Sequence, residues 1–289
     1  MSLMARLGFS TSDRALVLHA DDLGMCEASV SAFREISAHG LLSSASAMVP
    51  CSWFPAVATH CRRFPRSDVG VHLTLTSEWS ECRWGPVLGQ GVQELCDDAG
   101  YFPPQLRDVR DATMLQAAYR ELRAQVIRAQ RLGVAITHID SHMFTVMHPP
   151  MFSVYTALAQ EFRVPCVVLP LGLDAAMKEL APAQREHLAV FDEWAQLPLD
   201  DHTQRLETAE RILAELPTGL SFLIMHPAMD SPELRAISSD WRARVADYQL
   251  CIDERWARAL ERSGMKVVGM RAIRDALLGP KPGSSAPLA

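Results

Sequence analysis

The sequence predicts an α/β fold: a single irregular (β/α) barrel of the TIM type, with long loops at the carboxyl ends of its strands. Eight short apolar or β-branched runs alternate with longer segments of helical period, which is typical of βα units around a parallel sheet. The length of 289 residues suits one such domain. We assign 1–14 to an N-terminal segment, 15–278 to the barrel domain and 279–289 to a disordered tail.

The predicted strands are short runs of apolar and β-branched residues, as expected for strands buried in a parallel sheet. They are Ala15–Ala20, Ser43–Val49, Val69–Leu75, Ala135–Asp140, Cys166–Leu169, Leu188–Phe191, Phe222–His226 and Lys266–Met270.

The predicted helices lie between these strands. They are Glu27–His39, Trp53–Phe64, Thr113–Leu132, Pro150–Phe162, Thr203–Leu216 and Asp253–Ser263. In the third of them, Leu122, Val126 and Ala129 fall on one stripe, and Gly133 supplies a C-terminal stop.

Two long segments interrupt the alternation of strands and helices. Ser77–Arg110 carries Trp79 and Trp84 among several glycines and prolines, and Asp230–Gln249 is polar and arginine-bearing. Long loops in a compact domain are usually lids or substrate walls, with disorder as the alternative. We expect Ser77–Arg110 to fold over one face of the sheet.

Composition excludes several classes of protein. The net charge of -6 comes without blocks of Lys or Arg, which argues against a nucleic-acid partner. No apolar run is long enough to span a membrane, and the N-terminus lacks a secretory signal, so we expect a cytoplasmic protein. The seven cysteines are scattered without a CxxC pair, which predicts free thiols and no thiolate zinc site.

The stretch ALVLHADDLG, residues 15–24, runs an apolar strand into two adjacent carboxylates, Asp21 and Asp22. Like charges side by side repel unless a cation lies between them or one stays protonated. A divalent metal would resolve the repulsion, with one carboxylate as its ligand and the other as a general base. Because strand residues alternate in direction, both reach the rim only if a turn begins at Leu23. The alternative is a plain turn and helix cap.

Other ionisable residues also lie at predicted strand ends. His72 lies in the third strand, Asp140 and His142 close the fourth, and His226 ends the seventh. In a (β/α) barrel, the chemistry gathers at the carboxyl ends of the strands. One aspartate and two histidines suit a catalytic divalent ion with open positions for water. Each residue alone could be structural, but their joint placement favours a metal site.

Five ordered motifs extend this interpretation: HADDLG (19–24), SSASAMVP (43–50), GVHLTLTSEW (70–79), THIDSHM (137–143) and MHPAMD (225–230). At these motifs the sequence resembles the YdjC/ChbG family of carbohydrate deacetylases. The resemblance implies an irregular (β/α) barrel, often a homodimer, and a metal-dependent hydrolase that removes acetyl groups from an N-acetylated sugar or oligosaccharide. In that chemistry a metal-bound water attacks the amide.

The resemblance also implies a role for each site residue. Asp22, His72 and His142 would bind one divalent metal ion, magnesium or zinc. Asp21 would be the general base, and His226 would donate a proton to the leaving amine. Apart from the resemblance, we expect Asp140 to support the metal ligands from beside them.

Aromatic and guanidinium side chains near the predicted rim are candidates for substrate contact. Aromatic faces stack on the apolar faces of sugar rings, and guanidinium donors suit hydroxyls. The candidates are Trp79, Arg83, Trp84 and Phe144. The alternative is that the aromatic residues pack the loop.

Two other functions stay open from the sequence alone. The first keeps the metal and changes the bond, giving an esterase or another amidohydrolase. The second is a catalytically silent barrel that binds sugar.

Overall fold

The computed structural model describes residues 2–39, 41–105 and 112–279. Within these ranges, nine strands form one sheet in which every pair of neighbours is parallel. They are β1 (Arg14–Leu23), β2 (Ser44–Ala47), β3 (Val69–Leu73), β4 (Ile139–Ser141), β5 (Cys166–Val168), β6 (Leu188–Val190), β7 (Glu193–Gln196), β8 (Gly219–Met225) and β9 (Lys266–Val267).

Twelve α-helices occupy the same ranges, with 3-10 helices at Gly89–Leu95 and His142–Met147. All six predicted helices are confirmed to within two residues at each end. The α-helices are α1 (Leu3–Arg6), α2 (Glu27–His39), α3 (Phe54–Arg63), α4 (Ala112–Arg131), α5 (Pro149–Phe162), α6 (Asp174–Glu179), α7 (Pro182–Arg185), α8 (Arg205–Glu215), α9 (Pro232–Ile237), α10 (Trp241–Cys251), α11 (Glu254–Ser263) and α12 (Met270–Leu278).

The sheet is curled and surrounded by helices, in the order β6, β5, β4, β3, β2, β1, β8, β7, with β9 beside β1. The α/β class is confirmed, but the TIM-type barrel is only partly so, because the sheet forms a half-barrel and not a closed barrel. The strands β6 and β7 lie at its two ends and are joined only by Phe191 and Asp192. One extended segment therefore bonds to β5 with its first half and to β8 with its second.

The central strands β1 to β4 are almost entirely buried, because helices surround the sheet. Residues 15–20 of β1 are all buried, and β1 pairs with β8 in unbroken register from Arg14 to Ala20. Tyr155 of α5 is buried, and its hydroxyl lies 2.9 Å from the Ile139 carbonyl and 3.0 Å from the Val167 carbonyl. The hydroxyl thus links α5 to β4 and β5.

Asp230–Gln249, predicted as a loop, contains α9 and most of α10, so that prediction is wrong. The buried face of α10 carries Arg244 and Asp247 beside its apolar residues, so the segment shows no apolar stripe in the sequence. By contrast, the described part of Ser77–Arg110 is irregular apart from one 3-10 helix.

The two predicted terminal segments fall at the edges of the described chain. Segment 1–14 contains α1 and the first residue of β1, while all of the predicted tail except Gly279 lies outside the described residues. None of the helices in 2–39, 41–105 or 112–279 is long and apolar enough to cross a membrane.

Gly70 of β3 lies directly against the buried ring of His138, which gives a test of this packing. A Cβ atom at residue 70 would lie 2.5 Å from His138 Nε2. We expect Gly70→Ala to lower the free energy of unfolding by about 1–3 kcal/mol, because the core must shift to accept the methyl group. Urea unfolding measures this change.

Gly91→Ala is the matched control, since the nearest atom to its added Cβ would be Leu88 Cβ at 3.7 Å, an ordinary contact. Its effect should stay within about 0.5 kcal/mol. Equal losses from the two variants would contradict the packing described for Gly70.

Candidate active site

The carboxyl ends of four strands bring the predicted catalytic and metal-binding side chains together. They lie in β1, β3 and β4 or directly follow β4 and β8. The sequence prediction that they share one edge of the sheet is confirmed. The residues are Asp21, Asp22, His72, Asp140, His142 and His226, and every one except Asp21 is buried.

Both carboxylates of the Asp21 and Asp22 pair reach the site because the backbone turns at Asp22. Its φ is 59°, in the left-handed region, and the pairing of β1 with β2 shifts register between Ala20 and Leu23. Aspartate tolerates this conformation better than most residues. The turn expected at Leu23 thus lies one residue earlier, at Asp22. Although β1 extends through Leu23, Asp21 and Asp22 both face the site.

Asp22, His72 and His142 each offer one ligand atom, and these three atoms lie within 4.8 Å of one another. Asp22 Oδ1 is 3.2 Å from His142 Nδ1 and 3.5 Å from His72 Nε2. This oxygen is buried and receives no hydrogen bond of good geometry. A buried carboxylate oxygen without a donor, facing two imidazole nitrogens, fits a site for a divalent cation.

Asp140 supports His72 from the side opposite the ligand group. Its Oδ1 lies 2.9 Å from His72 Nδ1, and because a carboxylate only accepts, Nδ1 is the donor and Nε2 faces Asp22. Burial alone would raise the pKa of Asp140, but His72 and His19 hold that pKa well below its usual range. Asp140 is therefore an anion that fixes the orientation of the His72 ring.

His19 is a site residue to which the sequence analysis gave no role. Its Nε2 lies 3.1 Å from Asp21 Oδ1 and 3.0 Å from Asp140 Oδ2, and its Nδ1 lies 2.6 Å from Ser44 Oγ. Burial would lower the pKa of His19, but the two carboxylates raise it to about 9. The alternation of β1 could have revealed it, because residues 19 and 21 point to the same face.

Arg244 of α10 is a second such residue. Its Nη1 donates to Asp22 Oδ2 at 2.8 Å and its Nε donates to Asp240 Oδ1 at 2.8 Å. Burial would raise the pKa of Asp22, but Arg244 and His142 hold it well below its usual range. Because Arg244 and Asp22 are 222 residues apart, no local pattern could have revealed the contact.

Glu78 is a third, on the loop that follows β3. Its Oε2 lies 3.0 Å from His142 Nε2, across 64 residues of sequence. Burial would lower the pKa of His142, but the adjacent Asp22 and Glu78 carboxylates raise it to about 10. His142 is thus held between two carboxylates, as His19 is.

His226 follows the last residue of β8. Its backbone N–H donates to Asp247 Oδ2 at 2.8 Å, and its Nε2 lies 4.0 Å from Asp21 Oδ2. Burial lowers the pKa of His226 to about 4, so its imidazole is neutral near pH 7. Its Nδ1 is buried and has no hydrogen-bond partner.

Two of the four predicted substrate-binding residues contact the site. The buried Trp84 donates from Nε1 to the Thr76 carbonyl at 2.7 Å, and its ring centre is 6.2 Å from that of His142. The half-buried Trp79 ring packs against Trp84, with its centre 5.3 Å from the Arg244 guanidinium carbon.

The other two candidates make contacts away from the ligand atoms. Arg83 bonds to the Asp97 carboxylate at 2.7 Å and to the Phe102 carbonyl at 2.6 Å. Phe144 packs against Trp194, with ring centres 5.2 Å apart. Sugar contact by Trp79, Arg83, Trp84 and Phe144 stays a prediction.

A separate cleft of about 860 Å³ opens beside α2 and α3, at the amino ends of β2 and β3. Its lining includes Phe33, Arg34, His60, Arg63 and Phe64. None of the predicted site residues lines it, so this cleft is distinct from the cluster of aspartates and histidines.

Comparison with known proteins gives a consistent family. The chain matches the family model described as YdjC-like protein over residues 15–262. It is similar to the carbohydrate deacetylase of Thermus thermophilus, with 36% identity over 284 residues that cover 96% of this chain and 100% of the relative. It is also similar to a carbohydrate deacetylase of Thermoanaerobacter pseudethanolicus, with 26% identity over 244 residues, 83% of this chain and 91% of the relative.

A solved structure supports the fold. It is that of an Enterococcus faecalis V583 protein whose description assigns it provisionally to cellobiose-phosphate cleavage. The TM-score is 0.77 at 24% identity, and the match covers 91% of this chain and 99% of the other. With a family model that spans most of the sequence and a relative that matches nearly all of it, the chain belongs to the YdjC-like family.

Proposed function

We propose that this protein is a metal-dependent hydrolase that removes acetyl groups from an N-acetylated sugar or oligosaccharide. The observation that carries the proposal is the group of Asp22, His72 and His142, with Asp21 beside it at the carboxyl edge of the sheet. The names of the Thermus and Thermoanaerobacter relatives, both carbohydrate deacetylases, support an acetylated carbohydrate as the substrate. The family resemblance also supports a homodimer.

Asp22, His72 and His142 would hold the ion through one oxygen and two nitrogens. When bound, a divalent cation polarises the amide carbonyl and lowers the pKa of a water molecule from about 15.7 towards about 7. The two imidazole donors suit zinc or a similar ion better than magnesium, which prefers oxygen ligands.

Asp21 is placed to act as the general base. Its side chain is 13% exposed, against 5% for that of Asp22. His19 Nε2 holds Asp21 Oδ1 at 3.1 Å, which leaves Oδ2 directed towards His72 and His226. Asp21 can therefore accept the proton of an attacking water while His19 fixes its orientation.

His226 is placed to protonate the leaving nitrogen. Since its imidazole is neutral at rest, it must first take up a proton before it acts as an acid. Its Nε2 lies 4.0 Å from Asp21 Oδ2, so the proton accepted by Asp21 has a short path to His226. The proton then passes to the amine as the C–N bond breaks.

Trp79, Arg83, Trp84 and Phe144 would supply the contacts to the sugar. Trp79 is the best placed of them, because its partly exposed ring lies beside Arg244 and Trp84 within the loop that borders the site. Aromatic faces stack on the apolar faces of sugar rings. An acetate-release screen over acetylated sugars and simple esters separates this reaction from an esterase or a silent sugar-binding barrel.

We expect Asp21→Asn to lower the rate of acetate release from an N-acetylated sugar by about 10²–10⁴-fold, because the amide cannot accept the proton. Metal content should stay at the wild-type level, since the three proposed ligands are unchanged. Acetate release and elemental analysis measure the two quantities. Asp98→Asn, at an exposed position, is the control and should leave both unchanged. Wild-type turnover in Asp21→Asn would remove Asp21 from the role of base.

We expect His142→Ala to weaken binding of Zn²⁺ by at least about tenfold, because one of the few protein ligands is lost. Titration of Zn²⁺ into chelator-treated protein measures the affinity. His148→Ala, six residues away and exposed, should bind the ion as the wild type does. Equal affinity in the two variants, or full turnover after chelation of the wild type, would contradict the proposed metal site.

A further inference from the structure

The loop after β3 touches the site through two neighbouring residues. Glu78 Oε2 lies 3.0 Å from His142 Nε2. The ring of Trp79 lies 5.3 Å from the guanidinium carbon of Arg244, which in turn donates to Asp22 Oδ2. The loop thus contacts one proposed metal ligand, His142, directly and a second, Asp22, through Arg244.

The contact with Glu78 decides which nitrogen of His142 faces the ligand group. Because a carboxylate only accepts, Nε2 of His142 is the donor to Glu78. The other nitrogen, Nδ1, is the one that lies 3.2 Å from Asp22 Oδ1. A histidine that binds a metal commonly donates its second ring N–H to a carboxylate, which fixes the tautomer and the ring orientation.

His72 has the same arrangement with its nitrogens exchanged. Its Nδ1 bonds to Asp140, and its Nε2 faces Asp22. The two supporting carboxylates differ in one respect: Asp140 belongs to strand β4, whereas Glu78 belongs to an irregular loop. The orientation of His72 is therefore set within the sheet, while that of His142 depends on where the loop lies.

The position of Glu78 depends in turn on His142, because one of its carboxylate oxygens is buried. Its Oε1 is buried without a hydrogen-bond partner, so His142 supplies the close contact that offsets the cost of burying its charge. The two ends of this part of the loop are held independently, since the Thr74 N–H donates to Gln125 Oε1, the Ser77 N–H to the Pro103 carbonyl and the Trp84 N–H to Ser77 Oγ. Between these ends, loss of the His142 contact would remove the hydrogen bond that Glu78 Oε2 accepts and so weaken the hold on residues 78–82.

We propose that Glu78 is a positioning residue that couples metal binding to the order of residues 78–82: it turns His142 Nδ1 towards the ion, and the bound ion holds these residues in place. The inference rests on the proposed function only in taking Asp22, His72 and His142 as the metal site. Such coupling is reciprocal, because a loop position that favours the ion is favoured by the ion to the same extent.

The test compares Glu78→Gln with Glu81→Gln, an exposed glutamate on the same loop. The Kd of Zn²⁺ and the amide hydrogen exchange of residues 78–82 are measured for each chelator-treated protein, without and with saturating Zn²⁺. In the wild type and Glu81→Gln, we expect the ion to slow exchange in the loop. In Glu78→Gln, we expect a Kd about 10–100-fold weaker and little or no slowing.

A nitrogen-15 spectrum of the histidines reports which ring nitrogen of His142 is protonated, and general destabilisation would not change this tautomer. The wild type loaded with Zn²⁺ should show His142 protonated at Nε2 and metal-bound at Nδ1, and Glu78→Gln should show a mixture. Should Glu78→Gln fail to fold, Glu78→Asp retains the charge but withdraws the carboxylate from Nε2, and we expect the same changes from it.

An unchanged Kd and unchanged loop exchange in Glu78→Gln, relative to Glu81→Gln, would overturn the inference and leave the proposed metal site intact. Failure of the wild type to bind Zn²⁺ would instead overturn the metal site, and the inference with it.

Discussion

Charge compensation among buried and half-buried carboxylates is the constraint on which the site depends. Asp21, Asp22, Glu78, Asp140 and Asp240 lie at one end of the sheet, where repulsion between them is poorly screened by water. Buried cations offset this repulsion, chiefly His19 and Arg244, each of which lies between two carboxylates. The oxygen Asp22 Oδ1 is buried and has no hydrogen-bond donor, and it faces the imidazoles of His72 and His142.

The backbone is adapted to the same constraint. Neighbouring strand residues point to opposite faces, so two adjacent carboxylates reach one site only where the strand departs from regular geometry. The left-handed turn at Asp22 supplies this departure, and Met143 and Phe144 adopt the same conformation directly after His142. Such conformations persist in non-glycine residues only where the surroundings hold them, and they tend to occur at functional sites.

Local pattern predicts those parts of the molecule that local sequence determines. The six predicted helices follow from periodicity, and the gathering of aspartates and histidines at the strand ends follows from strand direction. The strand β7 is missed because Glu193–Gln196 begins with a charged residue and is only half-buried, and α10 is missed because its buried face includes charged residues. Glu78 and Arg244 reach the site through contacts across 64 and 222 residues, which no local pattern encodes.

The segment Leu188–Gln196 also connects the two ends of the half-barrel. It leaves β5 after Phe191 and joins β8, with Asp192 holding both the N–H and the carbonyl of Leu220. Because this one segment pairs with β5 along the whole of that strand and then with β8, it connects the two ends of the sheet through Phe191 and Asp192 alone. A change in the length of this two-residue link would therefore disturb the pairing of both ends at once.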